Sequence, residues 1–379
     1  MKIAFVRKSY TPYGGAERYL AQLAERLSAQ GHDVHIFARR WDARDSKASL
    51  VFHRVPAVGS PSFAEALSFA YFSRRLLERE SFDVINSFER TLYQDIYRAG
   101  DGCHREWLIR RRAIDPWLKQ RTYAVNPLHR ALLFLEKRLF RSPRLMKIVA
   151  NSERGKEEII RHYGVPEGKI EVIHNGVDLE FFHPRNVALY RRSLRKELKI
   201  PQEAAVVLFL GSGFRRKGLG ALISSIPRVK KRMSHLTLIA AGKDQIDGYR
   251  DLARRLGVER NVLFLGPTQR ARELYAASDL FALPTIYEPF SNACLEAAAT
   301  GTPVLTSRYN GFAEIIAEGE NGFLLQDPTD AGEIAEKILL FARGNGKNGL
   351  REKARAMSLP LDMDSALARM VRIHEEFRR

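Results

Sequence analysis

From Lys2 to Ala342 the chain alternates short runs of aliphatic and β-branched residues with longer amphipathic stretches. Uniformly apolar runs separated by helix-length segments describe parallel strands covered on both faces by helices. Lys2–Arg7 reads as the first strand, Ala16–Gln30 as a helix stopped by Gly31, and Val34–Ala38 as the second strand. Val51–Val55 and Asp83–Phe88 extend the sheet, with a helix over Phe63–Glu80 between them. Lys147–Ala150 is a further buried strand, and Ser152 is the expected N-cap of a helix over Glu153–Tyr163. Ile170–Ile173 then leads into the turn Asn175-Gly176-Val177-Asp178.

A second series follows the charged stretch Arg185–Lys199. It runs through strands at Val206–Leu210, Leu236–Ala240, Val262–Leu265 and Leu280–Leu283, with helices at Leu219–Lys231, Tyr249–Leu256 and Arg270–Ala277. Ala293–Ala299, Val304–Leu305, Ala313–Ala317, Phe323–Leu325 and Ala331–Ala342 complete it. Two successive series imply an α/β chain of two doubly wound, Rossmann-like domains, over about 1–180 and 181–360. The 379-residue length suits that division. A last helix at about 361–379 is expected to pack back on the first domain, and the active site is expected in the cleft between the two.

The composition, 45% apolar and 28% charged, is that of a globular protein. Its two cysteines, Cys103 and Cys294, have no metal-ligand spacing and read as free thiols in a reducing compartment. No apolar run approaches the roughly 18 residues a bilayer-spanning helix needs. The opening run Met1–Val6 ends at Arg7-Lys8, too short for a secretory signal core, so a cytoplasmic location is expected. Gly344–Gly349 reads as a flexible loop before the last helices. Asp362-Met363-Asp364 reads as helix capping rather than a metal site.

The formal net charge is +18. Between Cys103 and Lys147 twelve Lys/Arg stand against three acids, an excess of nine in about an eighth of the chain. Trp107, Trp117, Phe134 and Phe140 are interleaved with those cations. A charged helix packing its apolar side on the first sheet explains part of this. A basic amphipathic surface lying on an anionic membrane explains the rest. Nucleic acid is the other anionic partner such a charge admits, but no nucleic-acid-binding motif is present and none is expected to bind.

Three segments carry candidate chemistry. Tyr13-Gly14-Gly15-Ala16-Glu17-Arg18 follows the first strand and opens a helix, where glycines let the backbone approach a phosphate. Gly211-Ser212-Gly213-Phe214-Arg215-Arg216-Lys217-Gly218 follows the first strand of the second series. Three cations at a helix start oppose the helix dipole, which disfavours a purely structural origin and suits a diphosphate. Glu288-Pro289-Phe290-Ser291-Asn292-Ala293-Cys294-Leu295-Glu296 joins a strand end to a helix. Its carboxylates suit vicinal hydroxyls, although dipole compensation alone also accounts for an acid there.

These motifs, in this order and with Asn175-Gly176-Val177-Asp178 near the midpoint, resemble those of the family 4 glycosyltransferases. Those are retaining enzymes of the two-domain GT-B fold, and the resemblance runs from Lys2 through the last helix. With Gly100-Asp101-Gly102-Cys103 included, it is strongest towards the bacterial enzymes that glucosylate the inner-core heptose of lipopolysaccharide. The resemblance implies that Glu296 binds the ribose and Glu288 lies near the donor sugar. The amides of Phe290, Ser291 and Asn292 would hold its hydroxyls or the phosphates. Lys217 and Arg216, with Arg215 and Gly211 beside them, would take the leaving diphosphate, and Gly14 and Gly15 would complete its cradle. Asp101 stands where many relatives have a histidine against the donor sugar; His104 nearby reads as a lone surface histidine.

The resemblance further implies transfer of a hexose, glucose from UDP-glucose, to a lipid-linked acceptor, with retention, no metal and no other cofactor. Attachment to the inner face of a bacterial inner membrane through residues 103–147 is expected. The alternatives are another GT-B enzyme, such as a sugar-nucleotide epimerase, and a basic nucleic-acid-binding protein.

Overall fold

Both aliphatic series fold as parallel sheets in the computed structural model, which describes residues 1–9, 15–41, 50–233, 235–343 and 349–377. The chain divides into two units, Met1–His174 with Asp364–Arg379, and Asn175–Met363. The first holds β1 (Lys2–Val6), β2 (Asp33–Ala38), β3 (Leu50–Arg54), β4 (Val84–Ser87), β5 (Ile96–Arg98), β6 (Lys147–Ala150) and β7 (Ile170–Val172), in the order β3-β2-β1-β4-β5-β6-β7. The second holds β8 (Ala205–Leu210), β9 (Leu236–Ala241), β10 (Val262–Gly266), β11 (Leu280–Leu283), β12 (Val304–Ser307) and β13 (Gly322–Leu325), in the order β10-β9-β8-β11-β12-β13.

In each unit the chain builds outward from its first strand, then returns to that strand's other side. The two crossovers diverge there and leave a crevice at the carboxyl ends of the strands. It lies between β1 and β4 in one sheet and between β8 and β11 in the other. The apolar runs behave as their lack of alternation demands: Ile3–Val6 and Leu280–Leu283 are completely buried. The sheets thus match the two Rossmann-like sheets of the expected GT-B architecture.

Three local expectations need correction. β5 went unread because it has only three residues and ends in arginine; Arg98 is nevertheless buried, its guanidinium 4.1 Å over the Tyr19 ring. The charged stretch before β8 is a helix, Arg185–Glu197, whose Arg195 is fully buried and ion-paired to Asp279 at 2.8 Å. Ala313–Ala317 contributes only the end of a 3-10 turn, Gly311–Ile315. Ser152 does cap its helix, its Oγ accepting from the Gly155 amide at 3.0 Å. Most of the Gly344–Gly349 loop, residues 344–348, lies outside the described residues.

The last helix, Met363–Glu375, belongs to the first unit and buries Leu367, Met370, Val371 and His374. Asp364, in its first turn, pairs with Arg26 at 3.0 Å. The basic segment forms helices His104–Arg111, Trp117–Arg121 and Pro127–Phe140. Its three acids are all buried: Glu106 meets Arg110 and His162 (2.7 Å each), Asp115 meets Arg111 (2.7 Å), and Glu136 meets Arg90 (2.8 Å). Of the four aromatics, Phe140 is buried and Trp107 half-buried. Trp117 is 60% and Phe134 48% exposed, each under an arginine, Arg121 at 4.7 Å and Arg138 at 5.4 Å. Both cysteines are buried free thiols. Among the described residues no helix is long and apolar enough to cross a membrane.

Candidate functional site: a cationic turn facing a carboxylate at the second switch point

The Gly211–Gly218 turn leaves β8 at the switch point of the second sheet. Gly218 takes φ +82°, and a Cβ on it would come within 2.0 Å of the Pro284 carbonyl oxygen, so the turn packs backbone to backbone on the end of β11. A Cβ on Gly211 would stand 2.7 Å from Lys217 Nζ; the missing side chain is the space in which the lysine lies. One helical turn, Phe214–Lys217, separates the glycines. Buried Phe214 anchors it edge-on against Phe209, and its amide donates to Asp244 Oδ2 at 2.6 Å.

That anchoring aims the cations across the crevice at the segment following β11. Arg216 Nη1 donates to the Tyr287 carbonyl at 2.8 Å and to Glu288 Oε2 at 2.6 Å. Lys217 Nζ lies 3.5 Å from the same oxygen. Burial pushes the Glu288 carboxyl up, but Lys217 and Arg216 outweigh it and hold it below the usual 4.5. The carboxylate is therefore ionised at neutral pH, and two cations are fixed at one point. Arg215 sets its charge instead near Tyr249, whose phenol is pushed up by burial and by Asp244.

Asn310 holds this segment in shape. Its Oδ1 accepts from the Ser291 and Phe312 amides at 3.2 and 3.1 Å, and its Nδ2 donates to Thr306 Oγ1 at 3.0 Å. The neighbouring backbone pairs with Glu288, whose amide donates to the Tyr309 carbonyl and whose carbonyl accepts from Gly311. Ser291 Oγ caps the helix Asn292–Ala299, Phe290 is buried edge-on against Phe312, and Asn292 Oδ1 accepts from Asn175 Nδ2 at 2.7 Å. The midpoint turn is thereby tied to the same loop. Glu296, one turn into that helix, accepts from the Tyr275 hydroxyl at 3.0 Å.

The switch point of the first sheet has different chemistry. Arg7 follows β1, Glu89 and Arg90 follow β4, and Asp101 follows β5. Asp101 Oδ2 is 3.9 Å from Arg7 and 4.0 Å from Arg90, both too long for direct hydrogen bonds. Arg90 is held by Glu136 and by the Gly102 carbonyl at 2.7 Å. Gly15 begins the helix Gly15–Ala29, while Tyr13 and Gly14 lie outside the described residues. The reading of His104 as a lone surface histidine is overturned. It is buried, its Nε2 lies 3.1 Å from His129 Nδ1, and burial with Arg90 lowers its pKa to about 4.

Sequence reasoning found Arg216, Lys217 and Glu288, which the fold brings together, and passed over Asp244, Asn310, Arg7 and Arg90. Tyr309-Asn310-Gly311 carried a signal, an Asn-Gly pair between apolar runs, that reads as an ordinary turn. Arg7 and Arg90 sit one and three residues past strand ends, a position whose meaning appears only once the strand order is known.

Two family models account for most of the chain: Glycosyltransferase Family 4 over residues 13–181 and Glycosyl transferases group 1 over residues 191–357. The chain belongs to the family 4 glycosyltransferases. Among its relatives is the lipopolysaccharide glucosyltransferase WaaG of Escherichia coli K12, 24% identical over 89% of this chain and 88% of that protein. The crystal structure of WaaG superimposes with a TM-score of 0.85 at 23% identity, covering 98% of this chain and 99% of that one. That of Anabaena Alr3699/HepE in complex with UDP-glucose gives 0.72 at 21% identity, covering 99% and 100%. Both likenesses establish the GT-B fold. This family 4 glycosyltransferase thus carries its cationic turn at the switch point of its group 1 half.

Proposed function

We propose that the protein transfers glucose from UDP-glucose to a lipopolysaccharide-core acceptor, with retention of configuration and without a metal ion. The observation that carries the reading is the convergence of Arg216 and Lys217 on one point at the β8–β11 switch. Departure of a nucleoside diphosphate leaves negative charge on its β-phosphate as an oxocarbenium-like sugar develops. Fixed cations there stabilise the transition state more than the ground state. A pair of protein cations also meets the electrostatic demand that a metal meets elsewhere.

Lys217 and Arg216 take the diphosphate in this reading, Glu288 orients the sugar hydroxyls, and Glu296 binds the ribose. Gly211 and the Phe290–Asn292 backbone line the donor, Arg215 is a secondary contact, and Gly14, Gly15 and Asp101 act from the first unit. Retention follows if the acceptor hydroxyl attacks from the face the leaving group vacates and the departing phosphate takes its proton. Support for donor and acceptor comes from the relatives, one named as a lipopolysaccharide glucosyltransferase and one solved with UDP-glucose. The exposed Trp117 and Phe134 among arginines support peripheral attachment to an anionic bilayer beside the acceptor.

The test is incubation with a panel of nucleotide sugars, with and without a heptose-terminated lipopolysaccharide core. UDP release that requires both UDP-glucose and the core, with an α-linked product from the α-linked donor, is the expected result. UDP release without acceptor, or epimerised donor, would replace the transferase reading with its rival. Transfer that persists in excess EDTA checks metal independence.

A further inference from the structure

A cluster of side chains at the β3 edge of the first sheet has no part in this chemistry. His35 on β2 and His53 on the edge strand β3 direct ring nitrogens at each other, Nδ1 to Nε2, at 2.7 Å. Glu80, in the turn before β4, brings a carboxylate oxygen so close that the three ligand atoms all lie within 4.8 Å of one another. Glu80 and Lys2 lie at the amino ends of the strands, His35 is midway along β2, and His53, in register with Phe37, lies towards the far end of β3.

We infer that His35, His53 and Glu80 form a binding site for a divalent transition metal ion of borderline softness, zinc foremost, which pins the sheet's edge strand to the β4 turn. Two imidazoles and one carboxylate are a donor set for zinc, nickel or copper, and one that magnesium and calcium do not favour. The surroundings are those of a built site. His35 is buried, and its other nitrogen, Nε2, lies 3.1 Å from Asp33 Oδ1. That contact lacks hydrogen-bond geometry, but the Asp33 charge beside the ring favours a bound cation. His53 is held face to face on the Phe37 ring, 4.3 Å between centroids and 4° between planes, so its plane is set before any ion arrives.

Two adjustments accompany binding. In tetrahedral coordination at a metal–nitrogen distance of about 2.05 Å, two nitrogens stand about 3.3 Å apart, so the imidazoles separate by roughly 0.6 Å. His53 is only half-buried and on an edge strand, free to make that shift, and it carries its proton on Nδ1 once Nε2 ligates. The second adjustment is displacement of Lys2, whose Nζ is 2.9 Å from the Glu80 carboxylate and occupies the place of the cation. The ammonium also lies 5.0 Å over the Phe82 ring, a resting place it keeps when it leaves the carboxylate.

The experiment is calorimetric titration of zinc chloride into the full, EDTA-stripped chain, with thermal melting in parallel. One equivalent bound in the micromolar range or tighter, and a higher Tm, are expected. His53→Ala and Glu80→Gln should each weaken binding at least tenfold while the metal-free Tm stays near wild type. Asp33→Asn should weaken it several-fold, because a carboxylate 3.1 Å from the His35 ring loses its charge. Lys2→Ala should tighten it, because a competing cation is removed; scattered surface histidines would not respond in that direction. Binding that survives His53→Ala, that ignores Glu80→Gln, or that is absent below millimolar zinc overturns the site.

Discussion

Glu288 Oε2 lies 2.6 Å from Arg216 Nη1 and 3.5 Å from Lys217 Nζ, so one carboxylate oxygen faces both cations of the β8 turn and leaves a net positive charge. The cations are thereby held in place without a ligand, at the cost of a local counter-ion that a diphosphate has to outcompete. Lys217→Ala and Arg216→Ala are each expected to lower kcat by about 10²–10³, with smaller changes in donor KM, as for removal of one stabilising donor. Initial rates at varied UDP-glucose decide this; if either variant keeps more than a tenth of the rate, its assignment is wrong.

Acid should destabilise the first unit through two buried neutral histidines. Burial lowers the pKa of both His374 and His104 from 6.5 to about 4. His374 accepts from Asn86 Nδ2 at 3.1 Å and lies 2.7 Å from the Met370 carbonyl, an arrangement that suits the neutral ring. The unfolded chain binds protons first, so this stability is complete above about pH 6.5 and falls as pH drops towards 4. The slope is at most about 1.4 kcal/mol per pH unit for each group. Urea midpoints from pH 7 to 4 should show it, and His104→Gln should flatten it; a slope unchanged in that variant removes His104 as a cause.

Arg195 tests the hidden charge of the second unit. Its guanidinium donates to the carbonyls of Ala277, Gln202 and Ala204 and to Asp279. Arg195→Ala leaves three carbonyls without this donor, while Asp279 keeps Arg191 and the Val206 amide; the expected loss is at least about 1–3 kcal/mol. Equilibrium unfolding measures it, and a loss below about 1 kcal/mol would show that water replaces the arginine.

Membrane attachment through residues 103–147 predicts co-flotation with vesicles containing anionic lipid, weakening as salt rises. Trp117→Ser and Phe134→Ser should each reduce binding several-fold without lowering the melting temperature. Equal binding to neutral and anionic vesicles, or none to either, would end the membrane assignment.

The sheets were legible because parallel strands are buried on both faces and write themselves as unbroken apolar runs; β8 and β11 are examples. β5 was not, since its arginine is tolerated only through the Tyr19 ring lying against it, a partner 79 residues away in sequence. The site was half legible. Arg216, Lys217 and Glu288 lie in compact motifs, and local spacing reveals them. Asp244 and Asn310 act by closing loops on one another across the sheet, which only strand order reveals. His104 was misread for the same reason: its burial depends on His129, on another helix of the basic segment.

The burial of Glu106, Asp115 and Glu136 has a consequence for how the basic segment meets any anion. Every acid of that stretch is committed inside, so none is available at the surface to fold over a neighbouring arginine. Among the described residues, Arg112, Arg121, Arg130, Lys137, Arg138 and Arg141 are exposed and form no ion pair. Their neutrality in solution is supplied by dissolved salt anions alone. Docking on a charged surface then breaks no ion pair at these six, and what is given up is a loose ionic atmosphere whose release is entropically favourable. Association through this face should be set by ionic strength rather than by any rearrangement of the fold.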